Sequence, residues 1–260
     1  MDTLVSIATP VYNTARFLPT ALDSLLAQDH AQWECLLWDD GSTDGSGGIA
    51  ADYARRDPRF RLLGDGRNHG NPAALAQSLS QSRGDYIGVL DSDDVLEPHA
   101  LSAMVAFMQA RPAVGMAYSQ YVEIDEDGLL LGPGARFDTP YSPHRLLVEF
   151  MTHHFRLIRA DAYRAIGGFD ARMEDAPDYD LCLRLSERYL IEHVPMVLYR
   201  YRIRRGSMSQ GGRLSQVRAT FAAAQRALQR RRLENQYALS LGLRARHVLR
   251  PKATTQDDGA

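Results

Sequence analysis

Strand-length apolar runs and helix-length amphipathic segments take turns along the first hundred residues, and this alternation limits the fold more than any other feature. Residues 4–9 read as a strand ended by Pro10. Phe17, Leu18, Ala21, Leu22, Leu25 and Leu26 then recur at helical spacing within residues 16–27. Residues 33–38 read as a second strand, 49–54 as a short helix and 60–63 as a third strand. Asn71 opens a helix over 72–81, and 86–90 is a fourth strand. Such an order predicts an α/β fold, with a mainly parallel central sheet flanked by helices and right-handed crossovers. Ligands of these sheets sit beyond the carboxyl ends of the strands. Three polar loops occupy those ends: Pro10-Val11-Tyr12-Asn13, residues 39–46 opening with Asp39-Asp40-Gly41, and Asp91-Ser92-Asp93-Asp94. Brought to one edge, they make a site.

The third loop carries the sharpest chemistry. Three carboxylates at the end of a hydrophobic strand repel one another unless a cation or donors compensate. Oxygen-rich clusters suit Mg2+ or Mn2+, usually shared with a substrate's phosphates. The alternative is a solvated turn in which an aspartate caps a helix starting near Pro98.

Composition removes several function classes. Lys+Arg total 30 and Asp+Glu 32, so bulk charge gives no reason to expect nucleic acid as a partner. At 260 residues and 45% hydrophobic, the chain can build one large α/β domain or one plus an appendage. Cys35 and Cys182 lie far apart in apolar patterns and read as buried thiols of a reducing compartment. The apolar run at residues 4–8 is too short for a signal peptide, and no window nears the ~18 apolar residues of a membrane span.

Beyond residue 98 the pattern changes. A helix is expected over 98–110, a strand at 115–118, a hairpin within 121–131 turning at Asp127-Gly128, and a helix over 140–150. A strand at 155–158 and a helix over 179–189 follow. Residues 213–252 hold nine arginines and Lys252 against Glu234 alone, and Arg218, Phe221, Ala222, Leu228 and Tyr237 could line a helical stripe there. The expected organisation is one domain over 1–212, a basic helical extension over 213–252 and disorder over 253–260.

These residue types suit a nucleotide-sugar enzyme. Thr9, Pro10, Tyr12 and Asn13 offer a hydroxyl, a stacking ring and an amide. Asp40 can accept from a base N–H such as the uracil imide. Asp91 and Asp93 can hold a cation that stabilises a departing diphosphate. Neither a P-loop nor a Gly-x-Gly-x-x-Gly dinucleotide fingerprint is present.

Five segments in register resemble the family 2 glycosyltransferases. They are Val5-Ser6-Ile7-Ala8-Thr9-Pro10-Val11-Tyr12-Asn13, Trp38-Asp39-Asp40-Gly41-Ser42-Thr43-Asp44, and Gly84-Asp85-Tyr86-Ile87-Gly88-Val89-Leu90-Asp91-Ser92-Asp93-Asp94. The fourth joins Gly167-Gly168-Phe169-Asp170 to Asp178-Tyr179-Asp180-Leu181, and the fifth is Tyr201-Arg202-Ile203-Arg204-Arg205-Gly206-Ser207-Met208-Ser209. The resemblance implies a GT-A fold and an inverting transfer from a nucleotide-diphospho-sugar, a UDP-sugar being favoured. It also implies Mn2+ or Mg2+ and a saccharide or lipid-linked acceptor, in bacterial polysaccharide or glycoconjugate synthesis in the cytoplasm. Residues 1–98 would then be the donor half and 99–212 the acceptor half.

The same resemblance assigns roles. Asp40 contacts the base, and Thr9, Pro10, Tyr12, Asp39, Asn68 and Ser92 join it on the donor. Asp93 is the metal ligand, Asp91 a second ligand nearer the ribose and sugar, and Asp178 the catalytic base. Asp178 could instead only cap its helix, with Glu174 or Asp175 as the base. Asp180 reads as structural, Gly167-Gly168 as backbone geometry, and His153 and His154 as either acceptor-facing or core. Two departures stand out. No arginine follows Asn68-His69-Gly70, and Arg204 occupies the place of a histidine that the family often carries. Arginine cannot ligate a metal but can pair with phosphate, with Arg202 or Arg205 as helpers. Competing readings are a sugar nucleotidyltransferase, which the glycine-free first loop disfavours, and an inactive sugar-nucleotide-binding module. The basic tail could touch the anionic inner face of a membrane, form a homodimer contact, or stay solvated.

Overall fold

The computed structural model describes residues 3–135, 139–173, 175–204 and 214–242. The first half is built of strand–helix pairs: β1 (Val5–Val11), α1 (Leu18–Leu26), β2 (Trp33–Asp39), α2 (Ser46–Arg56), β3 (Phe60–Leu63), α3 (Asn71–Ser80) and β4 (Tyr86–Val89). The second half adds β5 (Val95–Leu96), α4 (Ala100–Gln109), β6 (Val114–Ile124), β7 (Leu130–Pro133), β8 (Arg156–Arg159), α5 (Ala160–Ala165), α6 (Pro177–Ser186), β9 (Leu190–Arg202) and α7 (Leu214–Arg230). β1 and β2 are buried almost throughout, because helices cover both sheet faces. That double burial explains their unbroken apolar runs.

The strand order is β3-β2-β1-β4-β8-β6-β9-β5, with β7 hairpinned onto β6. Strands β3, β2, β1 and β4 are mutually parallel. Beyond β4 the sheet is mixed, since β8 runs antiparallel to both β4 and β6 while β9 is parallel to β6. The parallel character expected of the whole sheet therefore belongs mainly to the first hundred residues. Ile7, Leu22, Leu37, Leu101 and Met104 fill the core on the face of α1, α2 and α4. Leu36, Leu75, Ile87, Tyr179, Leu185 and Ala227 fill the core on the face of α3, α6 and α7.

Several expected elements change. Residues 140–150 form only a 3-10 turn at Arg145–Leu147, and Pro140 and Pro143 disfavour helix at the residues before them. The strands expected at 115–118 and within 121–131 are the continuous β6, then the turn at Asp127-Gly128, where Gly128 takes φ 88°. β9 went unanticipated because Glu192, His193 and Pro195 break its apolar run. The register skips Pro195 and Met196 between the pairs Ser119–Val194 and Gln120–Val197, a bulge that accommodates the proline. α4 begins at Ala100 without a side-chain cap, so no aspartate of the 91–94 loop caps it.

The basic helix is also different from its sequence reading. α7 lays Ala223, Ala224, Ala227 and Leu228 into the core, while Arg218 and Tyr237 are exposed. Arg230 pairs with Glu187 at 2.8 Å, and Arg231 donates to Ser186 Oγ at 2.7 Å. Several tail arginines thus fasten the helix to α6. Among the described residues no helix is long and apolar enough to cross a membrane. Residues 253–260 lie outside the described residues.

Candidate active site

β1, β2 and β4 are neighbours in parallel, so their carboxyl ends bring the three polar loops together. Short side chains stitch the loops. Thr14 Oγ1 donates to Ser92 Oγ at 3.1 Å, and the Thr14 N–H donates to Ser46 Oγ at 2.9 Å. The Thr43 N–H donates to Asn13 Oδ1 at 2.8 Å, and the Ala15 N–H to Asp44 Oδ2 at 2.9 Å. Asn13 takes the left-handed φ of 52° that asparagine tolerates better than most residues.

The donor-side residues divide by placement. Asp40 is buried, and its two oxygens accept from the His69 N–H at 2.8 Å and the Gly70 N–H at 2.9 Å, which anchors the 64–70 loop beside the edge. Asp39 accepts from the Ser42 N–H at 3.0 Å and rests its other oxygen against Gly47 in the first turn of α2. Tyr12 is 50% exposed at the rim, next to the partly buried Pro10. Asn68 is exposed and accepts from the Gly70 N–H at 3.1 Å. Thr9 departs from its expected role: its side chain is fully buried, and the Cys35 thiol donates to its hydroxyl at 3.6 Å. Ser92 is likewise buried and serves the loop stitching. Cys35 and Cys182 are both free and buried, as their apolar contexts predict, and burial pushes the Cys35 thiol up to about 12.

The acidic loop is held from behind by β9. Tyr199 Oη donates to Asp94 Oδ2 at 2.8 Å, and the Arg202 N–H donates to Asp94 Oδ1 at 2.7 Å. Arg202 Nε donates to the Asp93 carbonyl at 2.7 Å, and its Nη1 to the carbonyls of Asp125 and Glu126 at 2.9 and 3.1 Å. Arg204, at the end of the strand, donates from Nε to Asp93 Oδ2 at 2.5 Å. Burial, with Asp93 and Asp178 nearby, pushes the Asp91 carboxyl up to about 7 against the pull of Arg156. Burial, with Asp91 and Asp93 nearby, also holds Asp94 well above the usual range.

Asp178 opens α6. The preceding Ala176 takes φ 57°, an uncommon value for a residue with a Cβ, and Pro177 starts the helix. Asp178 Oδ2 lies 3.3 and 3.4 Å from the two terminal nitrogens of Arg156, whose guanidinium also lies 5.5 Å from the Phe150 ring. Asp175 sits in the bend before α6, and Glu174 lies outside the described residues. Asp180 turns away from the site to accept from Arg184 Nε at 2.7 Å, a structural pairing. His154 stacks on Tyr199 and Tyr201, with centroids 4.8 and 5.4 Å away, and burial lowers its pKa to about 3, so it is neutral. His153 lies 4.6 Å from Phe150. Both histidines belong to an aromatic cluster between the acidic loop and α6.

The donor set at Asp91 and Asp93 fits a hard divalent cation. It offers only carboxylate oxygens, and its crowding is what a cation would relieve. Among the described residues no group of three or more His, Cys, Asp or Glu could hold a metal by itself. Remaining ligands would come from water or substrate phosphate, the usual habit of Mg2+.

Sequence reasoning missed Arg156, Tyr199 and the backbone-clamping role of Arg202. Arg202 spends Nε and Nη1 on carbonyls and is 4% exposed, so it cannot help Arg204 with a phosphate. The one available signal for Arg156 was a charged residue directly after Phe155 in the short run Phe155-Arg156-Leu157-Ile158. Arg205, Gly206, Ser207, Met208 and Ser209 lie outside the described residues.

The sequence profile described as Glycosyl transferase family 2 matches residues 6–167. Chondroitin synthase of Pasteurella multocida (strain Pm70) is 30% identical over 232 residues, 89% of this chain and 24% of that protein. Structurally, S. aureus TarS 1-349 in complex with UDP-GlcNAc aligns with a TM-score of 0.68 at 18% identity, over 81% of this chain and 62% of that one. Mannosyltransferase PcManGT from Pyrobaculum calidifontis, in complex with GDP-Man and Mn2+, aligns with a TM-score of 0.63 at 17% identity, over 92% and 77%. The architecture is the GT-A fold. The chain spans roughly a quarter of the length of the first curated relatives it matches.

Proposed function

The chain belongs to glycosyl transferase family 2, and from that premise we propose that it moves a sugar, with inversion, from a nucleotide-diphospho-sugar to a hydroxyl acceptor. The observation that carries this reading is the meeting of Asp93, Asp178 and Arg156 around Asp91, beyond the parallel strands. An inverting displacement needs a base on the sugar face opposite the leaving group. Asp178 is that base, taking the acceptor's proton from the α6 side while the diphosphate sits over the acidic loop. Arg156 holds one Asp178 oxygen and keeps the carboxylate turned toward the sugar. Asp93, with Asp91, holds Mn2+ or Mg2+, and a divalent cation there supplies charge neutralisation for the departing diphosphate. Tyr12 stacks on the nucleotide base near Asp40, and Arg204 reaches the diphosphate. The family resemblance favours a uridine nucleotide, while proteins of this fold hold UDP-GlcNAc in one case and GDP-Man in another.

The acceptor is a saccharide, free or lipid-linked, consistent with the polysaccharide synthases among the relatives. Exposed tail arginines such as Arg218 are available for an anionic membrane surface, while Arg230 and Arg231 are already engaged with α6. Incubating the purified protein with a panel of UDP-sugars and Mn2+ tests the function. Slow, metal-dependent UDP release that Asp178→Asn abolishes when acceptor is present is the expected result. Tight nucleotide binding with no turnover on any acceptor would instead identify an inactive sugar-nucleotide module.

A further inference from the structure

Arg202 and Arg204 leave the same strand end two residues apart, yet they are held very differently. Arg202 is buried and spends its guanidinium on the carbonyls of Asp93, Asp125 and Glu126. It fixes the backbone of the acidic loop. Arg204 is more exposed, lies 5.8 Å from the Phe17 ring, and among the described residues pairs through Nε with Asp93 Oδ2 at 2.5 Å. That oxygen belongs to the carboxylate that the proposed function assigns to the divalent cation. A cation coordinated at about 2.0–2.2 Å would either displace the guanidinium from Oδ2 or bind the other oxygen beside a positive charge. Both outcomes weaken cation binding to the free protein. A diphosphate changes the balance, because its oxygens match the planar guanidinium bidentately.

Resting on that reading of Asp93, we propose that Arg204 is a resident competitor for the divalent cation. It occupies an Asp93 oxygen in the nucleotide-free protein, and the donor's diphosphate draws it away. Arg202 keeps Asp93 in place throughout, so the carboxylate is ready once Arg204 leaves. Cation and nucleotide then bind with positive coupling, each raising the affinity of the other by the same factor.

Binding of Mn2+, followed by the electron paramagnetic resonance of the free ion, tests this without any turnover. Wild type, Arg204→Gln, Arg204→Lys and Asp93→Asn are compared without nucleotide and with saturating UDP, after thermal melts in EDTA verify that each is folded. Without nucleotide, Arg204→Gln should bind Mn2+ about tenfold more tightly than wild type, and its gain on adding UDP should be smaller. Arg204→Lys, which retains the charge, should stay near wild type. If Arg204→Gln binds Mn2+ no more tightly while Asp93→Asn loses it, the cation reading stands and the competition is overturned. If Asp93→Asn binds as wild type does, or no protein binds Mn2+ even with UDP, both fall.

Discussion

The two edges of the parallel half of the sheet use the same functional group to opposite ends. At the amino edge, Glu34 is buried, and its Oε1 accepts from Ser6 Oγ at 2.7 Å and the Arg83 N–H at 2.8 Å. Its Oε2 accepts from Arg61 Nη1 at 2.7 Å. Gly84 completes the joint: it donates to Ser6 Oγ at 2.8 Å, and a Cβ there would come within 2.7 Å of the Ser6 nitrogen. Burial pushes Glu34 up, but Ser6, Arg61 and the Arg83 N–H together hold it below its ordinary value. At the carboxyl edge, burial pushes Asp91 up and Asp93 and Asp178 push it further, to about 7, with Arg156 as the opposing charge. Burial is therefore not what separates a structural carboxylate from a functional one. The donors around it decide, and the carboxyl edge sets its carboxylates facing one another.

The contrast breaks most visibly at Asp178. Asp178→Asn keeps the shape but removes the proposed base, so turnover should fall by about 10²–10⁴ while the melting temperature moves little, because Asp91 still faces Arg156 and is relieved of a like charge. A comparable loss of stability would make Asp178 a joint like Glu34. The next largest effect is the response to ligand. In wild type, UDP at about a hundred times the dissociation constant it shows with Mn2+ present should stabilise the Mn2+-loaded fold by about 2.7 kcal/mol, and Asp93→Asn should lose most of that gain. A cation favours the charged form of Asp91, whose carboxyl is raised to about 7, so Mn2+ affinity should weaken as pH falls through neutrality. Titrations in buffers of different ionisation enthalpy should show protons released near pH 7. Affinity flat between pH 6 and 8 would remove Asp91 from the cation's surroundings.

The amino edge should respond in stability alone. Glu34→Gln leaves Arg61 without its anionic partner, at a cost of about 1–3 kcal/mol in urea unfolding at pH 7. The folded pKa of Glu34 lies below its unfolded value, so its contribution is fully present above about pH 4.3 and is lost as pH falls through the folded value. Wild type and variant should thus converge in acid, with kcat unchanged throughout.

The parallel half was legible because each of its strands is a short apolar run closed by a polar loop, and residues close in sequence supply that pattern. The second half was not, because its strands are long, charged or interrupted. β9 carries Pro195 in a bulge, and the leucines at 146 and 147 mimic a helical stripe where only a single 3-10 turn forms. Within the site, the expectations at Asp40, Asp91 and Asp93 rest on loops at strand ends, and that at Asp178 on the family resemblance and the start of a helical run; the three loop aspartates lie at that edge, and α6 brings Asp178 beside Asp91. Thr9 differs from its expectation because helices cover both faces of β1, so its side chain is buried on whichever face it falls. Arg156 and Tyr199 reach the site from strands distant in sequence, and only the sheet order brings them there.

The smallest effect distinguishes the donor loop from both edges. Tyr12 stands half exposed at the rim, so truncating it removes little buried surface and should shift the melting temperature by no more than about 1 °C. A ring stacked on a nucleotide base is worth about 1–3 kcal/mol, which corresponds to roughly five- to a hundredfold in affinity. Tyr12→Ala should therefore raise the donor KM toward the lower part of that range, because exposure to water weakens the stack, and leave kcat within about twofold. Tyr12→Phe should restore the wild-type KM, since the ring rather than the hydroxyl does the stacking. If Tyr12→Phe instead behaves like Tyr12→Ala, the hydroxyl is the binding group, and the first loop recognises its ligand by hydrogen bonding.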